Sequence, residues 1–372
     1  MCNGKAKHTC SERPPFAQNS LGNLFQKTVF QPKFPREFSP KGKLLSRKHF
    51  VLQVFFTIFA GVIRALSLRM EQRYNDFGTW LRRQFPFRVQ KLSVDAGFSC
   101  PNRDGRIGTG GCVYCDNRTF NPSYCNPRQS IRQQLEEGKR FFARKYPDMK
   151  YLAYFQAYTN TYAPLATLQA LYEEALATED VVGIVIGTRP DCVSDKLLDY
   201  LALLSRRCFV LVEYGIESAN DETLRRINRG HTFQQARETV VRTHERGVRC
   251  GGHIILGLPG EDETESLRQA PLISALPLDI LKIHQIQIIR GTRLALQYAE
   301  QPFHVYTAEE YIRLIARHIQ RLRKDLVLER FVSQSPDELL LAPRWGLKNH
   351  EFTNLLNNYL RTHNICQGQQ AG

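Results

Sequence analysis

Three cysteines with metal-ligand spacing lie in one glycine-rich stretch of the chain. Cys100, Cys112 and Cys115 follow the pattern C-x11-C-x2-C within GFSCPNRDGRIGTGGCVYC, residues 97–115. Two thiolates separated by two residues can bind one metal centre from a single tight turn, and the glycines allow the backbone to fold closely around a bulky group. Three thiolates would leave one iron of a cubane cluster open to an exogenous ligand. The pattern therefore indicates a metal centre with chemistry of its own.

A zinc site is the alternative for the same cysteines, and it requires a fourth ligand. Cys125, ten residues after Cys115, could supply that ligand, as could a histidine. On this interpretation the chain would be a non-catalytic zinc-binding protein associated with RNA. Cys125 stands outside the three-cysteine pattern, and its role stays unassigned.

Polar residues also gather where two apolar segments end. YFQAYTNTYAP, residues 154–164, carries Gln156, Tyr158 and Thr159, and GTRPDCV, residues 187–193, carries Arg189 and Asp191. A polar strand-to-helix loop would explain the first segment without a ligand. In the second, the guanidinium could bind a carboxylate or phosphate in bidentate fashion, or it could pair with the aspartate and cap the next helix.

Two carboxylates follow the next apolar segment, VEYGIESAN, residues 212–220. The spacing of two puts Glu213, Gly215 and Glu217 on one face of a strand. An inward carboxylate is costly unless it is paired or hydrogen-bonded. These residues are candidates for ligand hydroxyl or ammonium groups, and a structural Glu–Arg pair is the alternative.

The last two apolar segments carry a glycine-rich turn and two basic residues. GGHIILGLPGE, residues 251–261, ends in a turn with Gly257, Gly260 and Glu261. Lys282 and His284 alternate onto one face of the following segment, which makes them candidate substrate contacts. A single Lys or His on a strand is more often structural, so both interpretations stay open.

The elements that must position these residues alternate between strands and helices. Strands are predicted at 89–95, 151–156, 181–187, 209–214, 248–256 and 280–286, and helices at 130–146, 165–178, 195–205, 232–246 and 263–275. Short Val- and Ile-rich strands that alternate with helices indicate βα units around a parallel sheet. We therefore expect an α/β fold, a partial (β/α)6 TIM-like barrel, with ligands at the carboxyl ends of its strands. A helix at 307–324 and a strand at 327–331 follow.

We expect three regions along the chain: a leader at 1–69, a core barrel at 70–330 and a short C-terminal extension at 331–372. The leader holds 12 Lys or Arg and 2 Glu, so it carries ten of the fifteen net positive charges. Its apolar run, 50–63, is shorter than the roughly 20 residues of a membrane-spanning helix. The leader is either disordered or lies upstream of a true start at Met70, with membrane association as the alternative. The ten cysteines are spaced irregularly, which favours a reducing compartment such as the cytoplasm.

These motifs together resemble a known family. The cysteine loop is similar to the cluster loop of the radical S-adenosylmethionine (radical SAM) superfamily, with a longer first spacing than the commonest form. The GLPGE turn resembles that superfamily's glycine motif. TRPD at 188–191 and IRGT at 289–292 are similar to the branch that contains the elongator catalytic subunit and bacterial radical SAM proteins of unassigned substrate. The resemblance runs through most of residues 70–350.

The resemblance implies that Cys100, Cys112 and Cys115 bind a [4Fe–4S] cluster and that S-adenosylmethionine chelates its open iron. Tyr114 is then expected against the adenine of this cofactor. The other residues expected around S-adenosylmethionine are Gln156, Tyr158, Thr159, Arg189, Asp191, Glu213, Glu217, Arg225, Gly257, Gly260 and Glu261.

The resemblance also implies a reaction. An electron donor such as flavodoxin or ferredoxin would reduce the cluster, and S-adenosylmethionine would be cleaved to methionine and a 5′-deoxyadenosyl radical that abstracts hydrogen from a substrate. The elongator-like branch suggests RNA or a nucleotide-related substrate. The elongator subunit carries a following acetyltransferase domain, for which we expect no room in the 42 residues after 330.

Overall fold

The computed structural model describes residues 72–119, 121–143 and 148–371. The predicted leader, 1–69, and its apolar run lie outside the described residues. Within these ranges the strands are β1 (Val89–Val94), β2 (Lys150–Phe155), β3 (Val181–Thr188), β4 (Phe209–Glu217), β5 (Arg249–Leu256), β6 (Ile280–Gln285), β7 (Ile288–Ile289), β8 (Val327–Arg330) and β9 (Leu340–Ala342).

The helices in the same ranges cover the outside of the sheet or follow it in the chain. They are α1 (Phe77–Gln84), α2 (Ile131–Ala143), α3 (Leu165–Leu176), α4 (Asp195–Leu204), α5 (Asp221–Arg226), α6 (Phe233–Glu245), α7 (Glu263–Ser274), α8 (Arg293–Glu300), α9 (Ala308–Arg321) and α10 (Asn349–Thr362). Capping boxes begin α6 at Thr232 and α9 at Thr307, where each threonine accepts from the third residue of its helix. No helix among the described residues is long and apolar enough to cross a membrane.

Seven parallel strands form one curled sheet in the order β1-β2-β3-β4-β5-β6-β8. Parallel neighbours need a crossover connection, and the helices between the strands provide it. Ile184, Val185 and Ile186 of β3 are fully buried on both faces of the strand, as a sheet with helices outside and a filled interior requires. The predicted partial TIM-like barrel is confirmed, and the strand predicted at 327–331 becomes the seventh strand of the sheet.

The two edges of this sheet are β1 and β8. The chain before α1 runs beside β8, where the Leu328 amide donates to the Asn75 carbonyl at 2.8 Å. Pairing between β6 and β8 contains a β-bulge: Leu281 lies opposite Leu328, but Lys282 lies opposite Arg330, so Glu329 is an extra residue. Such a bulge turns two successive side chains toward the same side of a strand.

The chain after β8 packs back onto the barrel. β9 pairs antiparallel with β7, an additional two-stranded sheet that the sequence did not predict. The ring of Phe352 in α10 lies 5.7 Å from that of Tyr311 in α9 and 5.8 Å from that of Trp345. The boundary between the core and an extension at residue 331 stays a prediction.

Candidate functional site

A cleft opens at the carboxyl ends of the parallel strands and encloses about 1270 Å³, part of it open to solvent. This is the edge where ligands gather in barrels of this kind. Eleven of the predicted site residues line it, namely Cys100, Cys112, Tyr114, Cys115, Gln156, Tyr158, Thr159, Arg189, Glu213, Glu217 and His284. These eleven are among the 29 residues that line the cleft, and their roles in binding stay a prediction.

The three cysteines are presented by one tightly folded loop after β1. The carbonyl of Cys100 accepts from the amide of Arg103 at 2.8 Å, and the carbonyl of Cys112 accepts from the amide of Cys115 at 3.1 Å. Gly111 has φ +77°, and a Cβ there would press against the Arg103 side chain. The glycine at 111 is therefore required by the path of the loop.

The thiols of this loop lie in a protected setting. Cys100 and Cys112 are buried, and Cys115 is half-buried. Burial, followed by the neighbouring Cys112, raises the pKa of the Cys115 thiol to about 12. A positively charged metal centre removes this penalty because it deprotonates the thiols that it binds. The set of donors thus fits an iron cluster held by thiolates.

Cationic and amide groups support the sulfur of Cys112. Arg229 Nη1 donates to Cys112 Sγ at 3.5 Å, and Asn102 Nδ2 donates to it at 3.7 Å. Arg229 is fixed in turn, because Nη2 donates to the Gly215 carbonyl at 2.6 Å and lies 3.4 Å from Glu217 Oε1. The structural Glu–Arg pair considered from the sequence is therefore present, with Arg229 as its arginine.

Cys125 lies apart from this loop. Its thiol donates to the Ser93 carbonyl at 3.1 Å, and it is not among the residues lining the cleft. Among the described residues, no group of three or more His, Cys, Asp or Glu side chains is arranged to hold a single metal ion. The fourth cysteine that the zinc interpretation considered thus lies against the β1 backbone.

Several buried polar atoms of cleft-lining residues lack protein partners, and two of them lie at the ends of β2 and β3. Arg189 makes a bidentate pair with Asp191, with Nε–Oδ1 and Nη2–Oδ2 distances of 2.9 and 2.8 Å, but its Nη1 has no hydrogen bond. The hydroxyl of Thr159 is likewise unsatisfied. Leaving such groups buried and unpaired costs free energy, so the wall fits a polar ligand in this position. Asp191 orients Arg189 and does not itself line the cleft.

A four-residue ion cluster fills the barrel interior next to the cleft. Glu213 accepts from Lys91 Nζ at 2.8 Å and from Lys282 Nζ at 2.6 Å. Glu329 Oε1 lies 2.7 Å from Lys91 Nζ and 3.4 Å from Lys282 Nζ. Each of the two carboxylates therefore contacts both lysines. We call Lys91, Glu213, Lys282 and Glu329 the interior ion cluster.

Charges inside the interior ion cluster shift the pKa values of its members. Burial alone would raise the pKa of Glu213, but Lys282 and Lys91 outweigh it and hold that pKa well below its usual range. Burial lowers the pKa of Lys282 to about 8, although Glu213 and Glu329 oppose the shift. Lys282 is 2% exposed and does not line the cleft, whereas His284, the other predicted substrate contact, does.

The remaining predicted residues lie outside the cleft. Arg225 is on the surface of α5, where it pairs with Glu222 at 2.5 Å. The buried carboxylate of Glu261 accepts from Ser218 at 2.6 Å and from Gln269 at 2.7 Å, and thereby ties the turn after β5 to the end of β4. Gly257 and Gly260 belong to the same turn, and both have positive φ.

The structure adds wall residues that the sequence did not single out for the site, among them Arg103, His253, Gln285, Gln287, Arg330 and Ser333. His253 carried a visible signal, because it alternates with Gly251 on β5 as Lys282 and His284 alternate on β6. Arg330 had none, since its direction depends on the bulge between β6 and β8.

Comparison with known proteins gives two family matches. The Radical SAM superfamily profile matches residues 103–268, and the Radical SAM C-terminal domain matches residues 278–362. YtqA of Bacillus subtilis is 34% identical over 299 residues, which cover 80% of this chain and 93% of that protein. A tRNA uridine(34) acetyltransferase of Methanocaldococcus jannaschii is 25% identical over 187 residues, 50% of this chain and 34% of that one.

A solved structure shares the fold. The Elp3 protein of the archaeon Methanocaldococcus infernus superposes with a TM-score of 0.57 at 19% identity, over 76% of this chain and 64% of that one. At this identity the likeness supports the partial barrel and its strand order.

Proposed function

The chain belongs to the radical SAM superfamily, whose enzymes use a [4Fe–4S] cluster and S-adenosylmethionine, and from this premise we propose that Cys100, Cys112 and Cys115 hold the cluster in the cleft. When bound, the two cofactors supply reductive cleavage of S-adenosylmethionine and hydrogen abstraction from a substrate C–H bond. The observation that carries the proposal is the single loop that brings three thiols and Tyr114 to the wall of one cleft.

The residues of the cleft wall have two proposed roles: some contact the cysteine sulfurs, and others bind S-adenosylmethionine. Arg229 steadies the Cys112 sulfur by donating to it. Arg189, through its free Nη1, and Thr159 offer partners for the methionyl end of the cofactor. Tyr114, Gln156, Tyr158 and the carboxylates of Glu213 and Glu217 complete the proposed surroundings, and Asp191 fixes the direction of the Arg189 guanidinium.

For the substrate we propose RNA or a nucleotide-related molecule. The similarity to a tRNA uridine(34) acetyltransferase supports this class. The loop beside the cleft adds a physical argument, because Arg103 lies over the ring of Tyr158 at 5.5 Å and Arg106 over that of Tyr162 at 5.6 Å. Guanidinium groups that lie over partly exposed aromatic rings suit both phosphates and unstacked bases.

The reaction requires an external electron donor, for which we propose flavodoxin or ferredoxin. A low-potential cluster and reduced thiols fit a reducing compartment, so we propose the cytoplasm as the site of action. Both points follow from the cofactors rather than from a particular surface of the chain.

Anaerobic reconstitution with iron and sulfide tests the proposed cluster. Protein loaded in this way, supplied with dithionite and S-adenosylmethionine, should yield 5′-deoxyadenosine. Cys112→Ala should lose cluster iron, sulfide and product, whereas Cys125→Ala should keep all three because that thiol lies against β1. A fully loaded cluster without product, or native protein that contains zinc and no iron, would contradict the proposal.

The substrate class has a separate assay. Addition of a small-RNA fraction should raise the rate of 5′-deoxyadenosine formation above the substrate-free rate, and ribonuclease treatment of the fraction should remove the effect. Stimulation by a mononucleotide pool alone would point to a nucleotide substrate. No stimulation by either would exclude both classes.

A further inference from the structure

The wall of the cleft formed by β5, β6 and β8 carries residues other than those proposed for the two cofactors, and it meets that set where His253 contacts Glu213. His253, His284 and Arg330 line it, and we call these three residues the basic wall. β8 is the opposite edge of the sheet from β1, after which the cysteine loop begins. Because the cysteine loop and the basic wall border one cleft, they face a common space in which a second molecule can lie.

The bulge in β8 directs Arg330 into this space. Glu329 is the extra residue of the bulge, and its carboxylate reaches Lys91 and Lys282 in the barrel interior. Arg330, the next residue, lines the cleft instead of facing the helices outside. Regular alternation would have sent one of these two side chains out of the barrel.

In the part of the chain that the structure describes, no carboxylate is paired with the guanidinium of Arg330. Among the described residues it makes no ion pair, and its buried Nε has no hydrogen-bond partner. The nearby acids Glu213 and Glu329 are already shared by the two lysines of the interior ion cluster. The two carboxylates and two ammonium groups of the interior ion cluster neutralise one another, so the positive charge of Arg330 is not compensated by the cluster.

The two histidines beside Arg330 are neutral hydrogen-bonding groups. Their rings lie 5.5 Å apart, and His253 Nε2 donates to the carboxylate of Glu213 at 3.0 Å. Burial, then Arg330, holds the pKa of His284 well below its usual value. Since no carboxylate among the described residues pairs with His284, its imidazole can donate one N–H to a group bound by Arg330.

We propose that Arg330 and His284 form a subsite for an oxyanionic group, a phosphate or a carboxylate, carried by the substrate. Arg330 is half-buried with a buried, unpaired Nε, and a guanidinium of this kind recognises such an oxyanion through charge-assisted hydrogen bonds. This inference rests on the proposed function, because it places the substrate in the cleft that the cysteine loop borders. It narrows the substrate to molecules with an anionic group at one end.

The subsite belongs to the substrate and not to S-adenosylmethionine. That cofactor carries one carboxylate, and Arg189 already offers it a buried unpaired N–H near the ends of β2 and β3. The ammonium and sulfonium groups of the cofactor are cations, which Arg330 would repel. The unpaired Nε of Arg330 on edge strand β8 lies several strands away, in sheet order, from the unpaired Nη1 of Arg189 after β3, and so offers a place for a second anion.

Anion binding to the reconstituted full chain tests the proposal, with inorganic phosphate and acetate as probes in calorimetric or NMR titrations. The wild type should bind at least one of them, and Arg330→Gln should weaken that binding by about tenfold or more, since a charge-assisted pair is lost. Arg330→Lys should recover part of the affinity. Preference for phosphate identifies a phosphate-bearing substrate, and preference for acetate identifies a carboxylate.

Arg249→Gln is the matched control, because it removes one positive charge from a half-buried arginine that packs on Phe209 at 5.2 Å and does not line the cleft. It should bind the probe as the wild type does. Circular dichroism and iron content establish that each variant is folded and loaded. Equal binding by Arg330→Gln and wild type, no binding of either probe, or displacement of the probe by saturating S-adenosylmethionine would overturn the proposal.

The two proposals fail in different ways. If wild-type protein binds the probe at Arg330 but forms no 5′-deoxyadenosine, the radical chemistry is refuted while the anion subsite stands. If 5′-deoxyadenosine forms but the probe binds equally without Arg330, the subsite is refuted and the proposed function stands.

Discussion

Replacing Glu213 by Gln should strongly destabilise the fold, because this carboxylate is the centre of the interior ion cluster. Glu213 is 1% exposed, with Lys91 on Oε1 and with Lys282 and His253 on Oε2. A glutamine can keep only one acceptor oxygen. Whichever way the amide is turned, its NH₂ group meets a lysine ammonium, so a buried donor faces a buried cation.

The expected loss in the free energy of unfolding is about 3–5 kcal/mol at pH 7, the usual cost of removing one partner from a buried ion pair. The same substitution at Glu173 is the matched control. That residue pairs with Arg207 at 2.6 Å, but the two side chains are 46% and 63% exposed. Solvent screens such a pair, so Glu173→Gln should cost less than about 1 kcal/mol.

The pH dependence gives this prediction a second, independent readout. The pKa of Lys282 is lowered to about 8 in the folded protein from its ordinary 10.5. Between these two values the unfolded chain binds more protons than the folded one, so stability rises with pH. Without Glu213, the pKa of Lys282 in the folded protein falls further, because an attractive charge is lost. The free energy of unfolding then begins to rise at a lower pH than in the wild type. The deficit of Glu213→Gln should therefore be smaller at pH 9.5 than at pH 7.

Urea unfolding of the full chain under reducing conditions, followed by far-ultraviolet circular dichroism at both pH values, measures these free energies. A loss below about 1 kcal/mol at pH 7 would refute the reasoning, because the interior ion cluster would then be dispensable. A deficit that is equal at the two pH values would show that Lys282 does not respond to Glu213.

Three further predictions follow from other parts of the structure. Cys112→Ala should abolish the brown colour of the reconstituted protein, measured by absorbance, while Cys125→Ala should keep it. Arg229→Met removes a cationic donor to the Cys112 sulfur, so the midpoint potential of the cluster should fall by on the order of 50–100 mV in an EPR-monitored redox titration; an unchanged potential would contradict the contact. Gly183→Ala should lower the free energy of unfolding by about 2 kcal/mol or more, because its Cβ would press on the backbone carbonyl of Phe209, and wild-type stability in a urea melt would contradict this.

Sequence patterns predicted the barrel because its causes are local. Each predicted strand is a short apolar run, and the caps at Thr232 and Thr307 lie next to the helices that they begin. The cysteine loop was equally visible, since its three cysteines lie within 16 consecutive residues. By contrast, β7 and β9 contain two and three residues, which is too short for any periodicity to register.

The details of the cleft wall depended on contacts between distant strands. Lys282 alternates with His284 on β6, but the acids that draw it into the interior come from β4 and β8. Arg330 faces the cleft only because β8 bulges against β6. Arg225 and Arg229 are four residues apart, and only the turn after α5 decides that the second one points to the cysteines.

The pair formed by Lys91 and Glu329 joins the first and last strands of the sheet. In a closed barrel the diameter is set by the number of strands and their stagger. Here, in the described part of the chain, β1 and β8 are not neighbours in the sheet order. The ion pair between Lys91 and Glu329 connects them through side chains instead. A shorter or longer side chain at either position should therefore change the distance between β1 and β8, at a cost in the free energy of unfolding because both residues belong to the interior ion cluster.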